Sequence, residues 1–263
     1  CLHDRYWIMM MVFFFCFQMG GMIKNVSQLY FCQAMFPDTG GNYTVAYGGQ
    51  LQGTLAIAGA IPTALGMLIA VPLANKIGKA KAILSGAILA VLGGVIGLLF
   101  PGNYPVVVAS FIIKALGSTP AMYLQLALLA DVYDHQEALH GFRTDGFSMM
   151  IYGAIMAGMT GLATGIMNSV LSALQYSASN ISSPAIRSAM PWLFIGGETI
   201  CYAVILAMFL YMNVERFSKV DHIAIQLDQN PDAETEAPED NETLRVFNEL
   251  RRKNGKTELK AKG

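Results

Sequence analysis

The sequence predicts an all-α membrane protein: six transmembrane helices followed by a polar tail. Three observations predict it. The chain of 263 residues is 54% hydrophobic and only 13% charged, whereas a soluble domain carries about 25% charged residues. The charges crowd at one end. From Val214 onward lie nine of the seventeen Lys and Arg and eleven of the eighteen acids, which leaves fifteen charges in the first 213 residues, too few for a water-soluble surface. That apolar part divides into six stretches, each long enough at about 1.5 Å per residue to cross roughly 30 Å of hydrocarbon.

The stretches lie near 6–36, 51–74, 83–100, 105–130, 147–174 and 192–213. The first opens on the apolar run WIMMMVFFFCF and carries NVSQLYF near its far end. The third, GAILAVLGGVIG, and the fifth, GAIMAGMTGLATG, are rich in Gly and Ala. Small residues let membrane helices approach closely where lipid supplies no hydrophobic drive to associate. The fourth contains LGSTPAMY, in which Gly117 and Pro120 free backbone carbonyls and permit a bend. Residues 1–213 are thus expected to form the bundle and 214–263 a cytoplasmic tail. The acidic, Pro-bearing run DQNPDAETEAPEDNETL is expected to be disordered. LRVFNELRRK is expected to form a short helix with Leu244, Phe247 and Leu250 on one face, and the tail to extend into solvent.

Orientation follows from the basic residues. The link NKIGKAK carries Lys76, Lys79 and Lys81, the link after span four carries Arg143, and ERFSK follows span six. The opposite links, FPDTGGNYT, PGNYP and QYSASNISSPAIRSAM, hold a single basic residue, Arg187. Both termini and the charged links are therefore expected on the cytoplasmic side of the plasma membrane.

Three ionisable residues fall inside apolar spans: Lys24, Lys114 and Glu198. A charge at the bilayer centre costs at least about 2.5–3.5 kcal/mol on insertion scales, so a partner or an aqueous cavity is expected. Counting along the alternating spans puts all three roughly 4–8 Å to the outer side of the midplane. That shared depth suits a cavity-lining group; structural ion pairing or snorkelling is the other reading. Tyr123 and Gln125 on span four would offer hydrogen bonds to a ligand beside them.

The densest charge in this part is ADVYDHQEALHGFRTDGFS, residues 130–148. Asp131 and Asp134, three apart, share one helix face. Arg143 can fold back as a bidentate partner for either, Asp145 lies beside it, and Lys76, Lys79 and Lys81 are further partners for a cytoplasmic gate.

Several functions are disfavoured. A net charge of −1 and the lack of a basic stripe give no nucleic-acid surface. Cys1, Cys16, Cys32 and Cys201 have no metal-ligand spacing and read as packing residues. An aspartate-dependent membrane prenyltransferase would need a second acidic cluster to bridge metal ions, and outside the 130–148 stretch only the separate Asp4, Asp38 and Glu198 occur before residue 214. No enzyme and no organic cofactor is expected.

The 130–148 stretch resembles the signature of the glycoside–pentoside–hexuronide cation symporters, the melibiose permease family. Ala130, Asp131, Asp134, Gly141, Arg143, Gly146 and Ser148 stand in matching places, while His135 replaces the usual Tyr and Asp145 the usual Glu. PLANKIGKAK resembles the family's basic loop between its eighth and ninth helices. NVSQLYF, with Asn25, resembles its seventh helix, and Gln125 matches a frequent Gln. The resemblance spans roughly residues 5–220. It implies helices seven to twelve of a twelve-helix major facilitator fold: the C-terminal half of a transporter that takes up a sugar or glycoside with Na+ or H+ by alternating access. It also implies a lipid bilayer and an N-terminal six-helix half as partners. The first residue, Cys rather than Met, fits an expectation that this half precedes the chain. The family's cation-binding acids would lie mainly there. The chain departs from the family at Ala157, where a Lys is expected, and at Met122, where an aromatic often stands. A non-transporting regulatory relative is the alternative.

Overall fold

The structure is a computed structural model describing residues 4–177, 179–230 and 241–259. The described residues contain no strand. Five long helices come first: α1 Arg5–Met35, α2 Val45–Ile77, α3 Lys79–Leu99, α4 Tyr104–His140 and α5 Asp145–Ala173. The sixth rod is built from α6 Pro184–Pro191, a π turn Trp192–Gly196, and α7 Gly197–Phe209. All six are long and apolar enough to cross a membrane.

Local chemistry sets the helix ends. Asp4 caps α1 by accepting hydrogen bonds from the Tyr6 and Trp7 amides, and Thr44 caps α2 through the Tyr47 amide. The sixth rod begins at Pro184, eight residues before the expected 192, because Ser183 accepts from the Ile186 amide and Pro184 has the backbone angle of a first helical turn. The start of α3 has no cap of its own. The Glu215 carboxylate, from the far end of the chain, accepts from the Lys79 and Ala80 amides instead, where a negative charge meets the positive end of the helix dipole.

The largest difference from the expected boundaries is in α4. It does not end near residue 130 but runs ten residues further, to His140, and stops at Gly141 in the left-handed conformation with φ +77°. Nothing in ADVYDHQEALH breaks a helix, and glycine at the first position beyond is the common stop. Asp131 and Asp134 therefore sit on a helix and not on a link, and Asp131 is buried.

α3 and α4 form the closest pair. A Cβ on Gly117 would come within 2.5 Å of the Ala90 nitrogen, so backbone meets backbone there. Packing falls into three layers. One apolar cluster, including Phe13, Phe14, Leu128 and Phe209, fills the end of the bundle that holds both the start of α1 and the end of α4. A second, around Phe31, Phe194 and Ile186, fills the other end. A third, with Leu139, Phe217 and Phe247, lies under the first. Large apolar side chains such as Ile57, Leu68 and Leu92 cover the outer surface, as a lipid-facing surface requires.

The third layer is made with the tail. α8 (Ser218–Gln229) and α9 (Asn241–Lys253) pack beneath α4 and do not extend into solvent. Residues 231–240, most of the acidic run, lie outside the described residues. His135, on α4, is buried between Tyr6 and Phe217 and pairs with the buried Asp221 carboxylate at 2.9 Å. Burial pushes the Asp221 carboxyl above the usual carboxylate range, against the pull of His135. Arg251, 1% exposed, donates to the Ala138 carbonyl at 2.8 Å near the end of α4 and to Asp228 at 2.7 Å. Burial alone would raise the Asp228 carboxyl, but its bonds to Arg251 and Lys256 outweigh this and hold it below the usual range. A depressed carboxylate contributes stability that is present above its unfolded pKa and is lost as pH falls through the folded value. The contribution of Asp228 to the docking of α9 should therefore be constant from pH 6 to 8 and be lost in acid. Arg251→Ala removes these bonds and leaves the Ala138 carbonyl and Asp228 without that partner, a loss of about 1–3 kcal/mol. Amide exchange over 241–253 should then speed up by about tenfold or more at pH 7; unchanged exchange would show that Arg251 does not hold the helix.

Candidate functional site

Lys24, Lys114 and Glu198 meet between the first two apolar clusters. Glu198, buried on α7, is held by Lys114 of α4 at 2.6 Å on Oε2 and by Lys24 of α1 at 3.2 Å on Oε1. Lys114 also donates to the Ile195 carbonyl at 3.3 Å. That carbonyl lies in the π turn, which adds a residue to the helical turn just before Glu198. The two lysines are not equivalent. The Lys114 side chain is 5% exposed, whereas that of Lys24 is 23% exposed and lies over the Phe111 ring, 5.5 Å from its centroid.

The triad forms one wall of a cavity of about 420 Å³, within the range of roughly 300–1,000 Å³ typical of small-molecule sites. Asn25 and Tyr123 also line it. Gln125 does not: it lies on another side of α4, where its amide donates to the Met122 carbonyl of its own helix at 3.2 Å. Residues two apart on a helix are about 200° apart around the axis, so Tyr123 and Gln125 cannot face the same space. Gln28, Thr63, Phe111 and Ser118 line the cavity and were not expected from the sequence. Two of them had a signal. Gln28 follows Lys24 by four and Phe111 precedes Lys114 by three, the spacings that share a helix face. Thr63 and Ser118 had none, since a hydroxyl in a small-residue span packs equally well. Gln28 is positioned by its own bond to the Gln52 carbonyl of α2 at 3.3 Å.

A second charged cluster lies at the end of the bundle that carries both the start of α1 and α8. Lys79 donates to both oxygens of Asp131 at 2.7 Å. Arg143 folds back on Asp134 at 2.8 Å, on Glu137 at 3.2 Å and on Asp145 at 3.0 Å. Arg143 thus pairs with Asp134 and not Asp131, and Glu137 joins the group because α4 extends past it. Lys76 and Lys81 are exposed and form no ion pair among the described residues. Ser148 accepts from the Trp7 indole at 2.7 Å, tying the start of α5 to α1.

Six helices are long and apolar enough to cross a membrane, and four of them, α1, α2, α4 and α7, line a cavity of small-molecule size, an arrangement that suits a membrane transport protein. A family model described as MFS/sugar transport protein matches residues 1–216. The chain belongs to that family, the MFS sugar transport proteins, and its six long apolar helices fit a multi-pass membrane protein. No curated protein and no solved structure matches it.

Proposed function

We propose that the chain is the C-terminal half of a cation-coupled symporter of the melibiose permease type, carrying a glycoside or related sugar by alternating access. The cavity beside the Lys24–Glu198–Lys114 triad is the observation that carries this reading. It offers amide, hydroxyl and charged groups to a hydroxyl-rich ligand at the depth where such transporters hold substrate. Asn25, Tyr123 and Gln28 are the sugar-contacting groups. Glu198 is occupied by two lysines, so the acids for Na+ or H+ come from a second six-helix half. The open face of α5 supports that half: Gly153, Gly158, Gly161 and Gly165 have space beyond them into which a second helix fits. The basic links support a reading in which both ends of the segment face the cytoplasm of a plasma-membrane protein.

One set of cells tests this. Cells making the chain together with its N-terminal half should accumulate labelled glycoside, and collapse of the ion gradients should abolish the uptake. Cells making the chain alone should show none. In the same cells, with native cysteines replaced, an impermeant maleimide should label Asn42→Cys and spare His140→Cys. Uptake by the chain alone, or the reverse labelling, would overturn the corresponding part of the proposal. Ala157, in the place of the expected Lys, favours the non-transporting relative as the second reading; sugar binding without uptake by the complete pair would establish it.

A further inference from the structure

Two ion pairs of different kinds hold the tail against the bundle. Asp228 is bound by Arg251 and Lys256, side-chain types that keep their charge across the physiological range. Asp221 is bound by His135, with Nδ1 at 2.9 Å from Oδ1 and 3.1 Å from Oδ2, and a free imidazole titrates near neutrality. Both side chains are buried. The imidazole is walled by the rings of Tyr6 in α1, Phe217 just before α8 and Phe247 in α9. The pair also adjoins the Arg143 network. Asp134 precedes His135 on α4 and faces His222, which follows Asp221 on α8, at 3.9 Å.

An imidazolium and a carboxylate are neutral as a pair. Removing the imidazolium proton leaves a carboxylate buried among aromatic rings without an opposite charge, a state that burial disfavours. Undocking the tail returns Asp221 to water and relieves that cost. By linkage, loss of the proton and loss of docking favour each other. The raised Asp221 carboxyl has the same sign: a group raised on folding contributes stability below its unfolded value and loses it as pH rises through the folded one. We propose that His135 and Asp221 form a proton-operated latch, which holds α8 and α9 against the end of α4 and loosens as pH on that side of the membrane rises. Release withdraws His222 from Asp134 and leaves that carboxylate to Arg143. The other ionisable groups around the pair are Asp4, Arg5 and Tyr6 at the start of α1, Asp134 and His140 on α4, Arg216 in the turn before α8, and His222 on α8; α9 presents Phe247. Among these residue types only histidine titrates near neutrality, and both of those histidines are exposed, where pairing is worth little.

Hydrogen exchange of the full chain in lipid nanodiscs, corrected for the intrinsic rate at each pH, reads the docking of 218–229 and 241–253, because short helices exchange freely once undocked. Between about pH 6.5 and 8, protection of both helices should fall about tenfold, within the limit of tenfold per pH unit for one linked proton. The membrane-crossing helices should stay protected. Asp221→Asn removes the charge that the imidazolium balances. A proton on His135 is then the unpaired charge, so the dependence should reverse and protection should rise toward pH 8. His140→Gln combined with His222→Gln should keep the wild-type dependence. Protection in the wild type that does not change with pH would overturn the latch, and so would an Asp221→Asn variant with the wild-type slope. Loss of the slope in the double histidine variant would assign it to those exposed side chains and overturn the latch as well. Where Asp221→Asn alone undocks the tail, His135→Gln combined with Asp221→Asn decides. That uncharged, hydrogen-bonding pair should dock the tail independently of pH, and a slope that survives in it would refute the proposal.

Discussion

Glu198→Gln should destabilise the protein by about 3–5 kcal/mol, the cost of breaking a buried ion pair while its partner charge remains. The variant leaves Lys114 buried with neutral acceptors, the Ile195 carbonyl and the new amide oxygen, and with no carboxylate beside it among the described residues. Lys24 suffers less, because it is partly exposed to the cavity. Removing the stranded charge should therefore restore most of the loss: the double variant Glu198→Gln with Lys114→Met should melt close to the wild type, since apolar replacement of a whole buried pair is often neutral. Thermal unfolding in detergent, followed by the fraction remaining monodisperse, reads both. Equal melting of Glu198→Gln and wild type would show that the triad is not a charged, buried group.

The second large effect is on transport rate, with the fold left intact. Arg143→Gln breaks contacts to Asp134, Glu137 and Asp145 together, whereas Asp134→Asn breaks one of the three. These pairs are substantially exposed, and each is worth only about 0–1 kcal/mol. Their position gives them leverage. α5 rests mainly on α1, and its first turn is tied to the bundle by the Arg143 network, the Thr144–Gln136 bond, the Trp7–Ser148 bond and the Trp7–Phe147 stack. We propose that this network is a gate, which would bias the equilibrium between inward-open and outward-open states. A bias of 1–2 kcal/mol changes populations about 5- to 30-fold. In the complete transporter Arg143→Gln should slow uptake to that extent, Asp134→Asn less, and exchanging the two residues should recover part of the rate. Expression and ligand affinity should be preserved in all three. Normal uptake in both single variants would make the stretch an ordinary solvated elbow.

Most of the architecture was legible in the sequence because a bilayer leaves few choices. Apolar length alone locates six helices, and counting residues along alternating spans puts Lys24, Lys114 and Glu198 at one depth. The structure adds that they touch, which depth does not require. What was not legible depended on contacts distant in sequence. Asp131 looked like part of a link because the hydropathy falls at residue 130, but a helix does not end where hydropathy does. The tail looked solvated because its composition is polar; its docking rests on Arg251 reaching the end of α4 and Asp221 reaching His135, pairs 113 and 86 residues apart. His135 departs from the Tyr of the resembling family, and its pairing with Asp221 gives that exchange a structural role. Gln125 was placed in the cavity against the helix period, an error that the sequence itself could have corrected.

Sugar in the space beside the triad, as proposed, should protect that space from reagents. Asn25→Cys, with the native cysteines replaced, is labelled by a small water-soluble thiol reagent in proteoliposomes of the complete transporter, with and without its glycoside. Asn42→Cys, exposed in the link between α1 and α2, is the control. At a ligand concentration ten times Kd, mass action leaves about a tenth of the sites open. Labelling at Asn25→Cys should then slow about tenfold, with no change at Asn42→Cys. Equal labelling rates with and without bound glycoside at Asn25→Cys would contradict the account and place the sugar elsewhere.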